Sequence, residues 1–301
     1  MNVLVFGASG YLGSHLIDHF IAAGYDTSGF CRTPVAPARN NPQCHYVYGD
    51  LLDVDSFVPL LERYDVIIQA AQLNLDEELQ AVSAMLAAIK GSGKTFIMTS
   101  GTGVLSQRTD GDWSEDTFAE GDDFVPSKYI GARLDTENLV RAATSKGIRA
   151  MVVRPPLIWG NGGCPVIAQL YQSAATSGAV CYIGRGLNLY SNVHVQDLAG
   201  VYQLAVEKGQ PGALYHAVSG ELNYRSLAEA IAARLDLPTR SVDLGEGIEL
   251  WGKFSALVAF SSCSRSRCPR TRHELGWYPA TDRLDIRDDL GHPNYIAQVQ
   301  R

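Results

Sequence analysis

The sequence predicts an α/β fold, a doubly wound parallel sheet with a smaller, mostly C-terminal lobe, on three observations. Residues 3–24 read as a buried strand, a glycine turn and an amphipathic helix. Strand-like and helix-like segments then alternate five times in about the first 100 residues, the pattern of crossover-connected parallel strands. The chain has 301 residues, 46% of them hydrophobic and 19% charged, enough for a large core in an ordinary globular protein. The expected division is a larger part from 1–160 plus about 191–219, and a smaller lobe from about 161–190 plus 220–301.

Composition excludes several classes. A formal charge of −7 argues against a nucleic-acid partner, because neutralising phosphates needs a basic face. The six cysteines include no CxxC pair, which points to a reducing compartment. Cys263, Cys268 and His273 lack a fourth ligand at useful spacing, so no metal site is expected. The chain enters a core strand at once, leaving no room for a signal peptide, and no apolar run reaches the ~20 residues that span a bilayer. A cytoplasmic protein with no membrane partner is expected.

Val3–Phe6 is an unbroken apolar run, the mark of a strand buried on both faces. It enters Gly7-Ala8-Ser9-Gly10-Tyr11-Leu12-Gly13, after which Leu16, Ile17, Phe20 and Ile21 recur at helical spacing and Gly24 supplies a C-cap. The chain must turn tightly at Gly7, approach a ligand at Gly10 and pack helix on strand at Gly13. Free N–H groups and the positive end of the helix then face an anion, which is how a dinucleotide pyrophosphate is held. The next strand, Tyr25–Phe30, ends near Arg32 with no carboxylate beside it. A guanidinium there suits a 2′-phosphate, so NADP(H) is favoured over NAD(H).

Residues 34–42 read as a loop and His45–Tyr48 as a third strand. Asp50 at its end can accept from an adenine amino group while Leu51 covers the ring; an N-cap role for Asp50 fits equally well locally. Asp65–Gln69 is the fourth strand, and the small Ala70 and Ala71 let a cofactor lie flat. A helix over Leu75–Lys90 and a strand over Thr95–Thr99 follow. Ser100 and Thr102 then place hydroxyls at the carboxyl end of a central strand, where such folds bind ligand. The acidic, aperiodic residues 107–125 read as a loop over the site. The spacing predicts a helix over Ser127–Lys146 that carries Tyr129, Arg133 and Glu137 on one face.

Arg149–Arg154 is the sixth strand and stops at Pro155-Pro156. A helix at 165–176 and a strand at 180–183 form an excursion. The chain returns through 191–197, a helix to Lys208 and a strand at 213–217. From Glu221 onward helices alternate with loops, and there is no internal repeat.

GASGYLG at 7–13, GDLLD at 49–53, TSGTGV at 99–104, Tyr129-xxx-Arg133-xxx-Glu137, RPPLIWG at 154–160, NVHVQD at 192–197 and LGWYP at 275–279 occur in one order along the chain. Together they resemble the short-chain dehydrogenase/reductase superfamily, closest to its extended and atypical branches labelled NAD-dependent epimerase/dehydratase. The resemblance implies a Rossmann-type fold whose cofactor contacts fall on Gly7, Ser9, Gly10, Tyr11, Leu12, Gly13, Arg32, Asp50, Leu51, Ala70, Ala71, Arg133 and Pro155.

It also implies a Tyr-xxx-Lys pair, and two registers compete. Lys128 would pair with Phe124, which has no hydroxyl; Tyr129 would pair with Arg133, leaving Glu137 where the family often carries a glutamate. In the second register Tyr129 is the acid/base and Arg133 anchors the ribose. Gly101 stands where the family carries a hydroxyl, so Ser100 or Thr102 polarises the substrate oxygen. Arginine keeps the positive charge but cannot relay a proton. Trp159, Asn161, His194 and Arg272 are placed at the substrate pocket, with His194 and Asp197 alternatively bracing the lobe junction. The expected function is an NADP(H)-dependent oxidoreductase acting on a carbonyl or hydroxyl of a small metabolite, as a monomer or homodimer. The alternatives are an epimerase or dehydratase that recycles its cofactor, and a non-catalytic NADP(H) sensor.

Overall fold

In a computed structural model the described residues are 1–299, and they build one large sheet with three small ones. Strands β1 (Asn2–Phe6), β2 (Asp26–Cys31), β3 (His45–Tyr48), β4 (Val66–Gln69) and β5 (Thr95–Thr99) alternate with helices α1 (Tyr11–Ala22) and α2 (Leu75–Ala88). After the two-residue β6 (Gln107–Arg108) come α3 (Arg133–Ala142), β7 (Arg149–Arg154), β8 (Leu157–Trp159), α4 (Pro165–Ser177), β9 (Val180–Ile183), β10 (Leu189–His194), α5 (Val195–Lys208) and β11 (Leu214–His216). The chain ends with β12 (Gly220–Asn223), α6 (Tyr224–Leu235), β13 (Thr239–Val242), α7 (Leu244–Ser255), β14 (Ser262–Cys263) and α8 (Pro293–Ile296).

The main sheet is seven-stranded and parallel, in the order β11-β7-β5-β4-β1-β2-β3. The expected α/β fold is therefore the observed one. Succession along the sheet reverses at β1, between β2 and β4, which opens a crevice beyond the carboxyl ends of these strands.

Val3 to Phe6 are fully buried because helices cover both faces of the sheet. On one face Val3 and Val5 meet Leu16, Ile17 and Phe20 of α1 and Val201 and Tyr202 of α5. On the other, Leu4 and Phe6 meet Val82 and Met85 of α2 and Val140 of α3. Each such side chain contributes about 1.5–3 kcal/mol. A separate apolar cluster joins Ile167 and Leu170 of α4, Ile231 of α6, Trp251 of α7 and Phe260.

Three expectations need correction. The helix expected over 127–146 is shorter, since α3 starts only at Arg133 and passes into a 3-10 turn at Ala143–Lys146. The preceding residues coil in tight turns, with Gly131 donating to the Ser127 carbonyl at 2.7 Å and Arg133 to Ile130 at 3.1 Å. The region beyond 221 contains strands as well as helices: β12 pairs with β10, β13 with β9, and β14 with β6. Asp50 does not cap the helical turn that follows it; it accepts from Leu52 N–H at 3.0 Å, and Asp53 is the cap.

Candidate active site

The crevice floor is built by glycine. Gly7, at φ 82°, turns the chain so that its own N–H and that of Ala8 both reach the Phe30 carbonyl, at 3.1 and 3.2 Å. A Cβ at Gly7 would stand 2.6 Å from Ala71 N, and one at Gly13 would stand 2.1 Å from the Gly7 carbonyl oxygen. Helix and strand meet backbone to backbone, which only glycine permits. Gly10 is the N-cap of α1; it provides no side-chain cap, and no acidic residue sits in the first turn. The leading N–H groups of Tyr11, Leu12 and Gly13 are left for an external acceptor. This donor set suits a pyrophosphate.

The surroundings narrow the cradle. Ala71 N–H is fixed by the Gln69 side chain at 2.7 Å, and Ala70 N–H by the Phe6 carbonyl at 3.1 Å. Leu51 is buried under β3 and β4. Tyr11 donates to the Gly160 carbonyl at 2.6 Å, and burial pushes its phenol well above the ordinary range. Exposed Arg32 makes no hydrogen bond among the described residues. Arg39 was not singled out in the sequence: it sits in a short 3-10 turn and donates from Nη1 to the Ser9 carbonyl at 3.0 Å. No pattern marks it, because its loop is aperiodic.

At the carboxyl end of β5 the structure gathers a buried polar chain. Ser100 Oγ donates to Glu137 at 2.5 Å, and Glu137 receives Arg154 Nε on both oxygens at 2.8 and 3.0 Å, with Arg154 Nη2 closing the pair. Thr102 gives its N–H to the Pro155 carbonyl at 2.9 Å, and its hydroxyl lies 3.4 Å from Ser264 Oγ. The proton of Ser100 is thus committed to a carboxylate, whereas Thr102 retains its own. Both hydroxyls are buried.

Tyr129 lies ahead of α3, half-buried, with its phenol beside the Arg108 guanidinium. It therefore shares no helical face with Arg133 and Glu137. Arg133 turns to α2, where Nε meets Glu78 at 3.0 Å; its terminal nitrogens carry no hydrogen bond among the described residues. Residues missed in the sequence also surround Gly103: side-chain atoms of Ile130, Tyr190 and Val258 each lie 3.8 Å from where its Cβ would be.

The substrate-side candidates separate. Trp159 is buried, donates to Asn192 Oδ1 at 3.0 Å and packs edge-on against His194, 4.7 Å between ring centres. His194 accepts from Gln196 N–H as the N-cap of α5, and burial brings its pKa down to about 4. Asp197 receives Ala280 N–H at 3.3 Å and Arg283 at 3.4 Å, while its carbonyl takes Trp277 Nε1 at 3.0 Å. Asn161 is exposed, at φ 53°, and contacts His15 at 2.9 Å on the cradle side. Arg272 lies at the surface over Tyr278.

A glycine turn, an uncapped helix and a crevice at the order reversal define a dinucleotide-binding protein of the doubly wound class. A sequence model of the NAD dependent epimerase/dehydratase family matches residues 3–218, and the chain belongs to that family. It is an NAD(P)-dependent enzyme of the short-chain dehydrogenase/reductase type, in a family that acts on small molecules. An uncharacterized protein of Saccharomyces cerevisiae is 30% identical over 303 residues, which cover 96% of this chain and 98% of that one. The 4-hydroxy-2-methyl-3-oxo-4-farnesyl-3,4-dihydroquinoline-1-oxide ketoreductase of Stigmatella aurantiaca is 25% identical over 73% of this chain and 69% of its own. The fold superposes on a UDP-glucose 4-epimerase of Thermotoga maritima with a TM-score of 0.79 at 17% identity, over 100% of both chains. Among the described residues no helix is long and apolar enough to cross a membrane.

Proposed function

We propose that the protein is an NADP(H)-dependent oxidoreductase that interconverts a carbonyl and a hydroxyl on a small metabolite in the cytoplasm. The observation that carries this reading is the glycine cradle with Arg39 tied to its Ser9 carbonyl and Arg32 exposed just after β2, two cations with no carboxylate partner for either among the described residues. A 2′-phosphate supplies the charge they lack. The ketoreductase relative supports carbonyl chemistry.

When bound, a nicotinamide would supply the hydride for the carbonyl carbon. The chain's own groups handle the oxygen. Tyr129 gives the phenolic proton to the developing alkoxide and takes it back in the reverse direction. Arg133, with Nε on Glu78, would hold the cofactor ribose through its terminal nitrogens, and Pro155 would lie on the cofactor side of the site. Thr102, whose proton has no acceptor among the described residues, is the hydroxyl left to polarise the oxygen. Of the substrate-side candidates, Asn161 offers an exposed amide, while Trp159 and His194 stand behind the pocket as its support.

The test follows NADPH absorbance over a broad panel of aldehydes and ketones, with wild type beside Tyr129→Phe. Turnover that falls at least a hundredfold in the variant supports the reading. Unchanged turnover removes Tyr129 from its role, and no turnover with any carbonyl removes the activity. Nucleotide that stays bound through purification, with no net oxidation, would instead indicate an epimerase or dehydratase that recycles its cofactor.

A further inference from the structure

The loop at 120–124, one flank of α3 and the end of β11 border an open pocket of about 310 Å3 that neither the glycine cradle nor Tyr129 uses. Three guanidinium groups line it: Arg141 on α3, Arg154 at the end of β7, and Arg270. They are unequally neutralised. Arg154 is held by Glu137 through both carboxylate oxygens. Arg270 meets Glu274 only at 3.8 Å and gives Nη1 to the Leu214 carbonyl. Arg141 has no carboxylate within 4.0 Å among the described residues, and its Nε is spent on the Gly212 carbonyl at 2.9 Å.

The acidic residues on the wall are already engaged. Glu120 accepts the N–H groups of His216, Arg270 and Thr271 and the Thr271 hydroxyl. Asp122 accepts Ala119 N–H at 2.8 Å and Arg267 at 3.0 Å. Glu120 keeps its charge, since all its donors are neutral, and Asp122 is paired with Arg267; Arg141 alone of the lining guanidinium groups has no carboxylate within 4.0 Å among the described residues. Burial, followed by the nearby Arg270 cation, holds the Arg141 pKa below its usual range. His216 stands opposite Arg154 in the sheet, fully buried, with no hydrogen-bond partner for Nε2 among the described residues. Phe124, with the Arg154 guanidinium 5.4 Å from its ring centre, and Leu134 add apolar wall, and Asn138 of α3 lines the pocket beside them.

A half-buried guanidinium without a counter-charge is costly, and a small anion would offset that cost. We propose that this pocket binds a small anion, a carboxylate or phosphate head on a short, partly apolar body, with Arg141 as its principal partner and Arg270 as the second. The volume fits a metabolite of modest size rather than a polymer.

The test is thermal unfolding of the full chain, titrated with sodium benzoate or inorganic phosphate at ionic strength matched with chloride. A bound anion raises Tm saturably. The expected result is a saturable rise with at least one probe whose midpoint moves at least tenfold higher in Arg141→Gln and in Asn138→Asp. Arg185→Gln, a surface arginine paired with Asp112, should leave it unchanged. Which probe saturates identifies the head group. Circular dichroism confirms that each variant is folded; if Arg141→Gln is not, Asn138→Asp alone decides. A rise that fails to saturate with both probes, or that survives these substitutions, overturns the proposal.

Discussion

Arg133 reaches from α3 to α2 and donates Nε to Glu78, whose side chain is only 2% exposed. An ammonium would supply one compact charge here; the guanidinium fork holds Glu78 with Nε and keeps its terminal nitrogens without a partner among the described residues. Burial raises the Glu78 pKa and Arg133 lowers it, so the pair is a balance between desolvation and attraction.

Removing the arginine tips that balance. Arg133→Ala should cost about 3–5 kcal/mol at neutral pH, because it leaves a buried carboxylate without its counter-ion. The folded Glu78 pKa then rises further above the unfolded value. A raised pKa gives stability that is present at acid pH and lost as pH rises through the folded value. Urea unfolding at pH 5 and pH 8 should show the variant closer to wild type at pH 5; an equal deficit at both would assign the loss to packing.

Gly13→Ala places a methyl 2.1 Å from the Gly7 carbonyl oxygen, where both sides are backbone and neither can yield cheaply. The strain should reach the upper end of the usual 1–3 kcal/mol overpacking cost, and nucleotide affinity should fall at least tenfold. Calorimetry with NADP beside a melting curve separates the two effects. Gly24→Ala, where no atom lies within 4 Å, should leave nucleotide binding unchanged.

Cofactor choice should divide between two arginines. Arg32→Ala and Arg39→Ala should each weaken NADPH binding about tenfold, with NADH nearly unaffected by the first. Arg39→Ala should also weaken NADH somewhat, since Arg39 braces the Ser9 carbonyl within the loop common to both cofactors. Dissociation constants for the four combinations decide this; equal losses for both cofactors in Arg32→Ala would reject a 2′-phosphate role.

His216 sets an acid limit. Burial, with the Arg154 charge second, brings its pKa from 6.5 to about 4 in the folded protein. A depressed pKa gives stability that is present above 6.5 and lost as pH falls toward 4. The loss should be about 3 kcal/mol for this group. His216→Asn should flatten the dependence of unfolding midpoint on pH in that window; an unchanged slope would place the acid sensitivity elsewhere.

The parts of the fold that were legible in the sequence are local. β1, the glycine turn and α1 are contiguous, so one pattern carries strand, turn and helix together. The shared face of Tyr129, Arg133 and Glu137 was not legible: periodicity counts spacing, but tight turns at Gly131 end the regular helix before Tyr129 is reached. Glu78, Tyr190 and Ser264 were invisible because each meets the site from a distant segment. Arg39 lies in an irregular turn whose composition gives no direction to a side chain. The short strands after Glu221 escaped for a related reason, since their partners β6, β9 and β10 are remote in the chain.

That remoteness has a consequence for biogenesis. β6 waits for β14, which emerges from the ribosome about half a chain later, and Ser264 must thread onto the Leu189 and Ser191 backbone to roof Thr102. Until then the nascent sheet carries an open crevice and an unmated ribbon, a high-contact-order arrangement that matures slowly and invites chaperone capture. A ribosome-stalled chain ending before Ser262 should already hold its glycine cradle and still lack the Ser264 roof over Thr102.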